Sequence, residues 1–461
     1  MIKLKSKICY VLLLILFVLS IIFKVNNMVF PSIVVLFSIF SLLIIESLFD
    51  IKKNYLLILF YFVFFIFTMG QYIFPNYTNW IYYDQYGNST IVKTIFIQEL
   101  ALIITYIGYK ISFNSKNNLV EVNLPEIIRK FLFCILTVLF ILSLIVNFET
   151  GFRVMKYGYL IIYSNDVVSI IPGFIKYISF MFPLLSFIML CLCRKNKEYY
   201  LILSMYFVYS CSTLLTGVRG DFCIGMILIF ICWFVKKYLV DCSKVKLKKV
   251  IIGVSVLVVL LPVSIIGLSI FNSIRNKNSY DKNVFVQFSN FFVNQGSSVN
   301  LISMSIENQD ELDESKHLYT FGPVIENLDL KLNKFVDIDL IGDTHTSFAR
   351  DVSMIGLGEE GVNSGQGLGS QYLGELFIDY GYIGIILYSI FLGIILRVLS
   401  NFYKYNFIGY SLSLVLIQSF LFLPRSQSFQ FLNSIISFNY WFLIIIIFMI
   451  IFVSKRCKKY V

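Results

Sequence analysis

The sequence predicts an all-α polytopic membrane protein with about twelve transmembrane helices, both termini in the cytoplasm and one large extracytoplasmic loop. Composition is the first reason: 58% of the residues are hydrophobic and 14% are charged, whereas a soluble chain carries about 25% charged residues. Length is the second reason, because most apolar stretches are about 20 residues long and can cross the hydrocarbon core as helices. The alternating pattern of a membrane barrel is absent from these stretches.

The first block, residues 1–271, holds the first nine predicted spans. Its opening apolar segment resembles a signal peptide, but no small-residue cleavage site follows it and further spans do. We therefore interpret it as a retained first helix. The predicted spans of this block are 8–23, 29–49, 55–73, 92–112, 131–148, 173–193, 199–216, 222–240 and 250–271.

A long polar segment, residues 272–370, separates the ninth predicted span from the tenth. It contains both histidines of the chain, and we expect short helices within it. The last block, residues 371–461, carries the remaining predicted spans at 380–399, 407–423 and 434–453. We interpret the apolar blocks as a scaffold that presents the polar segment to a substrate at the membrane.

Positive charge alternates between the connections and predicts which side of the membrane each one faces. Connections rich in lysine or arginine stay in the cytoplasm, which places both termini inside and the long polar segment outside. The net charge of +11 therefore reflects membrane topology, and we expect no nucleic-acid partner. The basic connections are 1–7, 52–53, 110–130, 194–197, 236–249, 397–404 and 455–459.

The nine cysteines lie in or beside the apolar segments, and none lies in the long polar segment. They show no Cys-x-x-Cys spacing, so the sequence predicts neither a zinc site nor a disulfide framework. We expect no metal ion and no cofactor.

Arginine is frequent on the predicted external side, against the usual topological bias. Its planar guanidinium suits two-point binding of phosphate or carboxylate, so the pattern predicts an anionic ligand at the outer membrane face. The alternative is that these arginines meet lipid headgroups or nearby acidic side chains. The external arginines are Arg153, Arg219, Arg275, Arg350 and Arg425.

Gly217 and Gly220 flank Arg219 in a short connection between two predicted spans. Glycine lets backbone amides approach a ligand closely, so we predict that these three residues bind the anionic group. The alternative is a plain helix turn with an arginine at the membrane interface.

His345 lies in the densest polar run of the chain, near Asp343 and Asp351. Histidine titrates near neutral pH and can act as a general base toward a hydroxyl group. We therefore predict that His345 is catalytic, with a surface histidine as the alternative. The second histidine, His317, lies among acidic residues and is predicted to be a surface residue.

Glu375 and Asp379 are four residues apart and share one face of a predicted helix. We predict that they are partners of the external arginines, with an acid–base role as the alternative. A glycine-rich run, 356–369, precedes them. It is interpreted either as a hinge or as a phosphate-binding helix start.

The Gly217-x-Arg219-Gly220 turn, the long external segment and the run Gly369–Gly384 resemble the oligosaccharide repeat-unit polymerases of bacterial O-antigen and capsule assembly, the Wzy type. The plan is also similar to that of O-antigen ligases. The resemblance implies a metal-independent membrane glycosyltransferase whose donor and acceptor are undecaprenyl-pyrophosphate-linked oligosaccharides. It also implies a location in the bacterial cytoplasmic (inner) membrane, with the active site facing the periplasm or cell exterior, and an inverting transfer.

The resemblance further implies roles for the residues already singled out. Arg219, with Arg350 or Arg275, would stabilise the pyrophosphate leaving group, and Arg153, Arg425, Glu375 and Asp379 would belong to the same binding region. His345 would take the proton of the acceptor hydroxyl, oriented by Asp343 or Asp351. A flippase and a chain-length regulator are candidate partners.

Two other functions are consistent with the sequence. A flippase or exporter of lipid-linked oligosaccharide would carry its cationic residues within the spans and have short loops, unlike this chain. An O-antigen ligase would use the same donor with a different acceptor. A peptidoglycan polymerase of the shape–elongation–division class has a similar plan, but its expected motifs are absent.

Overall fold

In the computed structural model of the protein, the described residues form helices and the turns between them, apart from one isolated backbone bridge. Eleven of its helical segments are long and apolar enough to cross a membrane. This confirms the all-helical, many-span class that the composition predicts. The structure describes residues 2–74, 86–111, 125–157, 170–193, 197–217, 219–241, 284–313, 317–332, 344–363 and 365–457.

The helices divide into those before, within and after the long polar segment. Before it lie α1 (Ile2–Val25), α2 (Val29–Leu48), α3 (Ile51–Phe64), α4 (Gly70–Ile73), α5 (Asn88–Lys110), α6 (Glu126–Tyr157), α7 (Gly173–Ser179), α8 (Met181–Leu192), α9 (Lys197–Thr213) and α10 (Arg219–Val235). Within it lie α11 (Val284–Gln295), α12 (Ser298–Glu307), α13 (Gln309–Asp313), α14 (Gly322–Leu332) and α15 (Phe348–Asn363). After it lie α16 (Tyr372–Leu399), α17 (Phe407–Phe422), α18 (Gln430–Ile435) and α19 (Phe438–Cys457).

Each of the candidate membrane spans overlaps one predicted span. The remaining predicted span, 250–271, lies outside the described residues, so the total of twelve stays a prediction, as do the cytoplasmic termini. π-helical turns continue α3 through Phe65–Met69 and α10 through Lys236–Val240. A 3-10 turn, Leu214–Thr216, continues α9.

Two helices extend well beyond the apolar stretches that predicted them. α6 reaches Tyr157, because Glu149 and Arg153 form an ion pair of 3.1 Å one turn apart and this pairing supports a polar helical turn. α16 begins eight residues before the predicted start at 380, because Gln371 caps it by accepting the first free backbone N–H groups. Its backbone kinks at Gly381, where φ is +60°, a left-handed value that glycine tolerates.

The chain forms two compact units, each assembled from separate parts of the sequence. Unit 1 comprises Met1–Asn114, Phe288–Ser400 and Ser419–Asn433. Unit 2 comprises Ser115–Gln287, Asn401–Gln418 and Ser434–Val461. This division follows spatial contacts, whereas the predicted blocks 1–271, 272–370 and 371–461 follow hydropathy along the chain.

In unit 1, α5 and α16 cross at two glycines. A Cβ atom at Gly108 would collide with the backbone oxygen of Ile390. A Cβ atom at Gly393 would collide with the backbone oxygen of Thr105. Glycine at both points lets the two backbones meet directly, as in membrane helix pairs. This close crossing holds α16, whose first turns carry Glu375 and Asp379.

Part of the predicted external loop belongs to the core of unit 1. α12 is buried from Ser298 to Ile306, and its Ser303 hydroxyl lies 3.0 Å from that of Thr94 in α5. Gly70 and Gly296 again allow close approach, since a Cβ atom at either would lie 2.6 Å from backbone of the facing segment. α12 and the turn before it therefore pack against the spans.

Unit 2 is built around α6, α9 and α10. The Tyr199 hydroxyl of α9 donates to the Cys232 carbonyl of α10 at 2.9 Å, and Asn147 of α6 donates to the Ser212 hydroxyl at 2.7 Å. A Cβ atom at Gly151 would lie 2.8 Å from that of Leu215. The turn that leads into Gly217 thus packs directly on α6.

Candidate active site

The two histidines of the chain lie side by side in unit 1. Their backbones form an isolated parallel β-bridge, in which the Leu318 N–H donates to the His345 carbonyl at 3.0 Å. The bridge joins the strand-like segments that precede α14 and α15. It brings together two residues that the sequence analysis had treated as unrelated.

His345 pairs with Asp351, on the first turn of α15. The His345 Nδ1 atom lies 2.9 Å from Asp351 Oδ2. An ionised carboxylate can only accept hydrogen bonds, so Nδ1 carries the proton of the neutral ring and Nε2 carries the lone pair. Half of the His345 side chain is exposed. Of the two carboxylates considered for this role, Asp343 lies outside the described residues.

Tyr319 is the second donor to the same carboxylate. Its hydroxyl donates to Asp351 Oδ2 at 2.8 Å, and its side chain is fully buried. The ring stacks on His317 with a centroid distance of 5.1 Å and meets Phe348 edge-on at 5.5 Å. Tyr319 is thus held in one position between the two histidine segments.

Asp379 holds the backbone that carries Tyr319. Its carboxylate accepts the N–H of Tyr319 at 3.3 Å and that of Thr320 at 2.6 Å, and it lies 3.6 Å from His317 Nε2. The prediction that His317 is a surface residue is wrong, because its ring is stacked and only 15% of the side chain is exposed.

Glu375 is fully buried at the start of α16. One carboxylate oxygen accepts the Ser370 hydroxyl at 2.5 Å, and the other accepts the Ser428 N–H and hydroxyl at 2.7 and 2.8 Å. The Tyr388 hydroxyl donates to the Ser428 carbonyl. Glu375 therefore ties α16 to the turn that follows Arg425.

These contacts correct the prediction that Glu375 and Asp379 pair with external arginines. Among the residues that the structure describes, the partners of both carboxylates are hydroxyls, backbone amides and His317. The physical reason is burial, because a carboxylate closed off from solvent is satisfied by the nearest short donors and leaves no space for a guanidinium.

Arg425 ends a 3-10 turn, Leu423–Arg425, and is half-buried. Its guanidinium donates to the Gln295 side-chain oxygen at 2.6 Å and lies 5.7 Å from the centre of the Phe67 ring. The Gln295 amide oxygen and the Phe67 ring both orient the Arg425 guanidinium.

The other arginines predicted to bind the anionic group lie in different parts of the structure. Arg350 is exposed on the first turn of α15, beside Asp351, with no side-chain partner among the described residues. Arg153 belongs to unit 2 and pairs with Glu149. Arg219 is the first residue of α10, and its side chain is outside the described part of the chain. Arg275 lies outside the described residues.

Gly217 closes the 3-10 turn before α10 with φ of +82°, a left-handed conformation that favours glycine. Gly220 is the second residue of α10. The structure therefore groups the predicted residues in two sets. Unit 1 contains His345, Arg350, Arg425, Glu375 and Asp379. Unit 2 contains Arg153, Gly217, Arg219 and Gly220.

His317, His345, Tyr319, Asp351 and Asp379 together form what we call the histidine cluster. An open apolar pocket of about 370 Å³ adjoins it within unit 1. Thr320, whose N–H binds Asp379, lines this pocket together with Leu387 and Phe391 of α16. Its walls suit a hydrocarbon chain. Among the described residues, no three His, Cys, Asp or Glu side chains are grouped as ligands for a metal ion.

Sequence reasoning missed Tyr319, Ser370, Ser428 and Gln295. Each is a polar residue of an ordinary type. Tyr319, Ser428 and Gln295 gain their roles only from partners far away in the chain, whereas Ser370 binds Glu375 five residues later. Glu375 carried a usable signal, because a charged residue among apolar neighbours in a helix predicts burial with dedicated partners.

The family model described as O-antigen polysaccharide polymerase Wzy matches residues 7–459. No match was found among curated proteins or among solved structures. The family match covers nearly the whole chain, and the many apolar helices fit an enzyme that works within a membrane. It confirms the resemblance that the turn at Gly217 and the run Gly369–Gly384 indicate. The chain belongs to the Wzy family of O-antigen polysaccharide polymerases.

Proposed function

We propose that the protein joins undecaprenyl-pyrophosphate-linked oligosaccharide repeat units into an O-antigen or capsular polysaccharide at the outer face of the cytoplasmic membrane. Family membership supports polymerisation of repeat units in general. The lipid carrier, the side of the membrane and the roles of individual residues are our proposal. The single observation that carries it is the half-exposed His345 held by Asp351.

His345 acts as the general base. As the acceptor hydroxyl oxygen attacks the anomeric carbon of the donor, His345 Nε2 takes the hydroxyl proton. The new glycosidic bond forms on the face opposite the leaving group, so an α-linked donor is inverted. The bond between the anomeric carbon and the pyrophosphate oxygen breaks, and the electron pair leaves with the pyrophosphate. Asp351 orients the ring and stabilises the imidazolium that forms.

Arginines stabilise the charge that develops on the pyrophosphate. Arg350 supports this role because it is exposed beside Asp351, and Arg425 because Gln295 and Phe67 orient its guanidinium. We still predict from the sequence that Arg219, with Gly217 and Gly220, binds an anionic group of the substrate. The same prediction stands for Arg153 and Arg275. Glu375 and Asp379 are buried, so we assign them to holding this region together.

The apolar pocket supports a lipid-linked substrate. It is lined by Thr320, next to the histidine cluster, and by residues of α16 such as Leu387, whose side chain is 63% exposed. A hydrocarbon chain in this pocket would leave its polar head at the level of the cluster. We propose that the polyprenyl chain of the carrier lies here.

The test is made in a strain that lacks the protein, where lipid-linked glycans and surface polysaccharide are both extracted and sized. We expect single repeats without a polymer ladder, and a ladder restored by the wild-type chain but not by His345→Ala. Glu360→Ala is the matched control, because Glu360 is exposed on the same helix as Asp351.

Three results would contradict the proposal in different ways. A normal ladder with His345→Ala removes the base assignment. Full-length lipid-linked polymer in the deletion strain indicates a ligase. Single repeats trapped on the cytoplasmic leaflet indicate a flippase, and the external position of the polar segment would then be wrong.

A further inference from the structure

Asp351 receives two hydrogen bonds on one oxygen, from the His345 ring and from the Tyr319 hydroxyl. A carboxylate on a first helical turn could otherwise rotate away from the histidine or bind water, since 17% of it is exposed. The tyrosine donor restricts that rotation. It also stabilises the ionised form of the carboxylate, which has to remain charged when His345 gains a proton.

Tyr319 is itself fixed on every side. Its ring lies between His317 and Phe348, and its backbone N–H is held by Asp379. Asp379 belongs to α16, whose position depends on the glycine crossing with α5. The orientation of the Asp351 carboxylate is therefore connected to the membrane helices through three successive contacts.

We propose that Tyr319 is a positioning residue of the reaction, and that His317 and Asp379 form a second histidine–carboxylate pair that holds it. The inference rests on the proposed role of His345. Tyr319 does not touch the substrate, because its side chain is fully buried. It acts through Asp351 on the orientation and hydrogen bonding of the His345 ring.

His317 is assigned to support and not to proton transfer. Its ring is stacked on Tyr319, and its Nε2 atom faces the nearly buried Asp379. The other charged groups nearby have different partners or none. Glu326 of α14 accepts the Thr346 hydroxyl at 2.9 Å, and Arg350 points to solvent. Tyr319 is thus the side chain that joins the buried pair to the exposed one.

The presence of only two histidines in the chain allows a direct test that does not depend on activity. The full-length protein, labelled with ¹⁵N-histidine and placed in lipid nanodiscs, gives two sets of imidazole NMR signals. His345→Ala and His317→Ala assign them. We expect Tyr319→Phe, which removes one hydroxyl and keeps the ring packing, to shift the His345 Nδ1–H signal.

Tyr372→Phe is the matched control. Tyr372 is also fully buried in unit 1, and its hydroxyl has no hydrogen-bond partner in the described part of the chain. We expect this variant to leave the His345 signals unchanged. With lipid-linked repeat units as substrate, Tyr319→Phe should lower kcat by about 10- to 100-fold, the usual worth of a hydrogen bond to a charged group, without changing KM.

The proposal is overturned if Tyr319→Phe leaves both the His345 signal and kcat at wild-type values. It is also overturned if KM rises while kcat is unchanged, because Tyr319 would then contact substrate. Asp379→Asn is a second variant that loosens the Tyr319 backbone, and unchanged His345 signals there would remove Asp379 from the assembly. Wild-type activity of His345→Ala refutes the proposed base instead, whatever the NMR signals show.

Discussion

Replacing Glu375 with alanine tests whether a buried carboxylate holds the turn after Arg425 in place. The change removes the acceptor of the Ser370 hydroxyl and of the Ser428 N–H and hydroxyl. Glu375 is fully buried, so water cannot replace the lost acceptor without opening the fold. We expect a large loss of stability and, because the turn carries Arg425, a loss of polymer.

The magnitude follows from the three donors. A buried donor left without an acceptor costs about 1–3 kcal/mol. The Ser428 hydroxyl also lies 3.3 Å from the Tyr372 carbonyl and can turn toward it. Removing Glu375 therefore costs less free energy at this hydroxyl than at the Ser428 N–H. The sum is about 3–5 kcal/mol for Glu375→Ala. Glu375→Gln keeps one acceptor oxygen toward Ser428 and should cost roughly 1–2 kcal/mol.

The assay is thermal unfolding of the purified protein in detergent, together with the polysaccharide ladder in cells. We expect the unfolding midpoint to fall in the order wild type, Glu375→Gln, Glu375→Ala, with the exposed Glu360→Ala equal to wild type. A wild-type midpoint for Glu375→Ala would refute the reasoning about buried donors. A stable Glu375→Ala protein that makes no polymer would instead assign Glu375 to the substrate.

Three further predictions concern packing, charge and the lipid chain. Gly393→Leu should lower the free energy of unfolding by about 2–4 kcal/mol through collision at the helix crossing, measured by thermal unfolding. Gly87→Ala is the control, because a Cβ atom there meets only open space. Equal unfolding midpoints for the two variants would contradict the crossing. Arg350→Ala should slow polymerisation by about 10- to 100-fold with Arg350→Lys partly active, and a full ladder in the alanine variant would exclude the pyrophosphate role. Leu387→Trp should raise KM for a donor with a full-length polyprenyl chain but not for a short-chain analogue. Ile445→Trp is the control, because the Ile445 side chain is similarly exposed. Equal effects of Leu387→Trp on both donors would place the polyprenyl chain elsewhere.

The chemical type of a side chain was sufficient to identify several candidate residues. Histidine is rare in this chain, and arginine is rare on the external side of a membrane, so His345, Arg350 and Arg425 stood out without any structure. Their roles stay predictions. The sequence also offered Asp351, six residues from His345, as the partner of the histidine. It could not provide Tyr319 or Gln295, because hydrogen bonds reach only about 3 Å and these two residues lie 32 and 130 residues from the side chains that they bind.

Glu375 and Asp379 show the limit of predicting partners from the charge of a side chain alone. Opposite charge suggested arginine as the partner of each. The fold buries both carboxylates, and a buried acceptor is satisfied by whichever donors the packing brings closest. Those donors are serines, backbone amides and a histidine that the sequence analysis had assigned to the surface.

By itself the sequence determined the all-helical membrane class and the approximate position of the described spans, because the bilayer selects for apolar length and this property is local in the chain. It also contained the Gly217 turn and the Gly369–Gly384 run that indicate the family. Only the tertiary structure decided that His317 lies beside His345, that Tyr319 shares Asp351 with it, and that Glu375 binds Ser428. These contacts depend on how α5 and α16 cross and on where the polar segment packs, and no short stretch of sequence encodes that geometry.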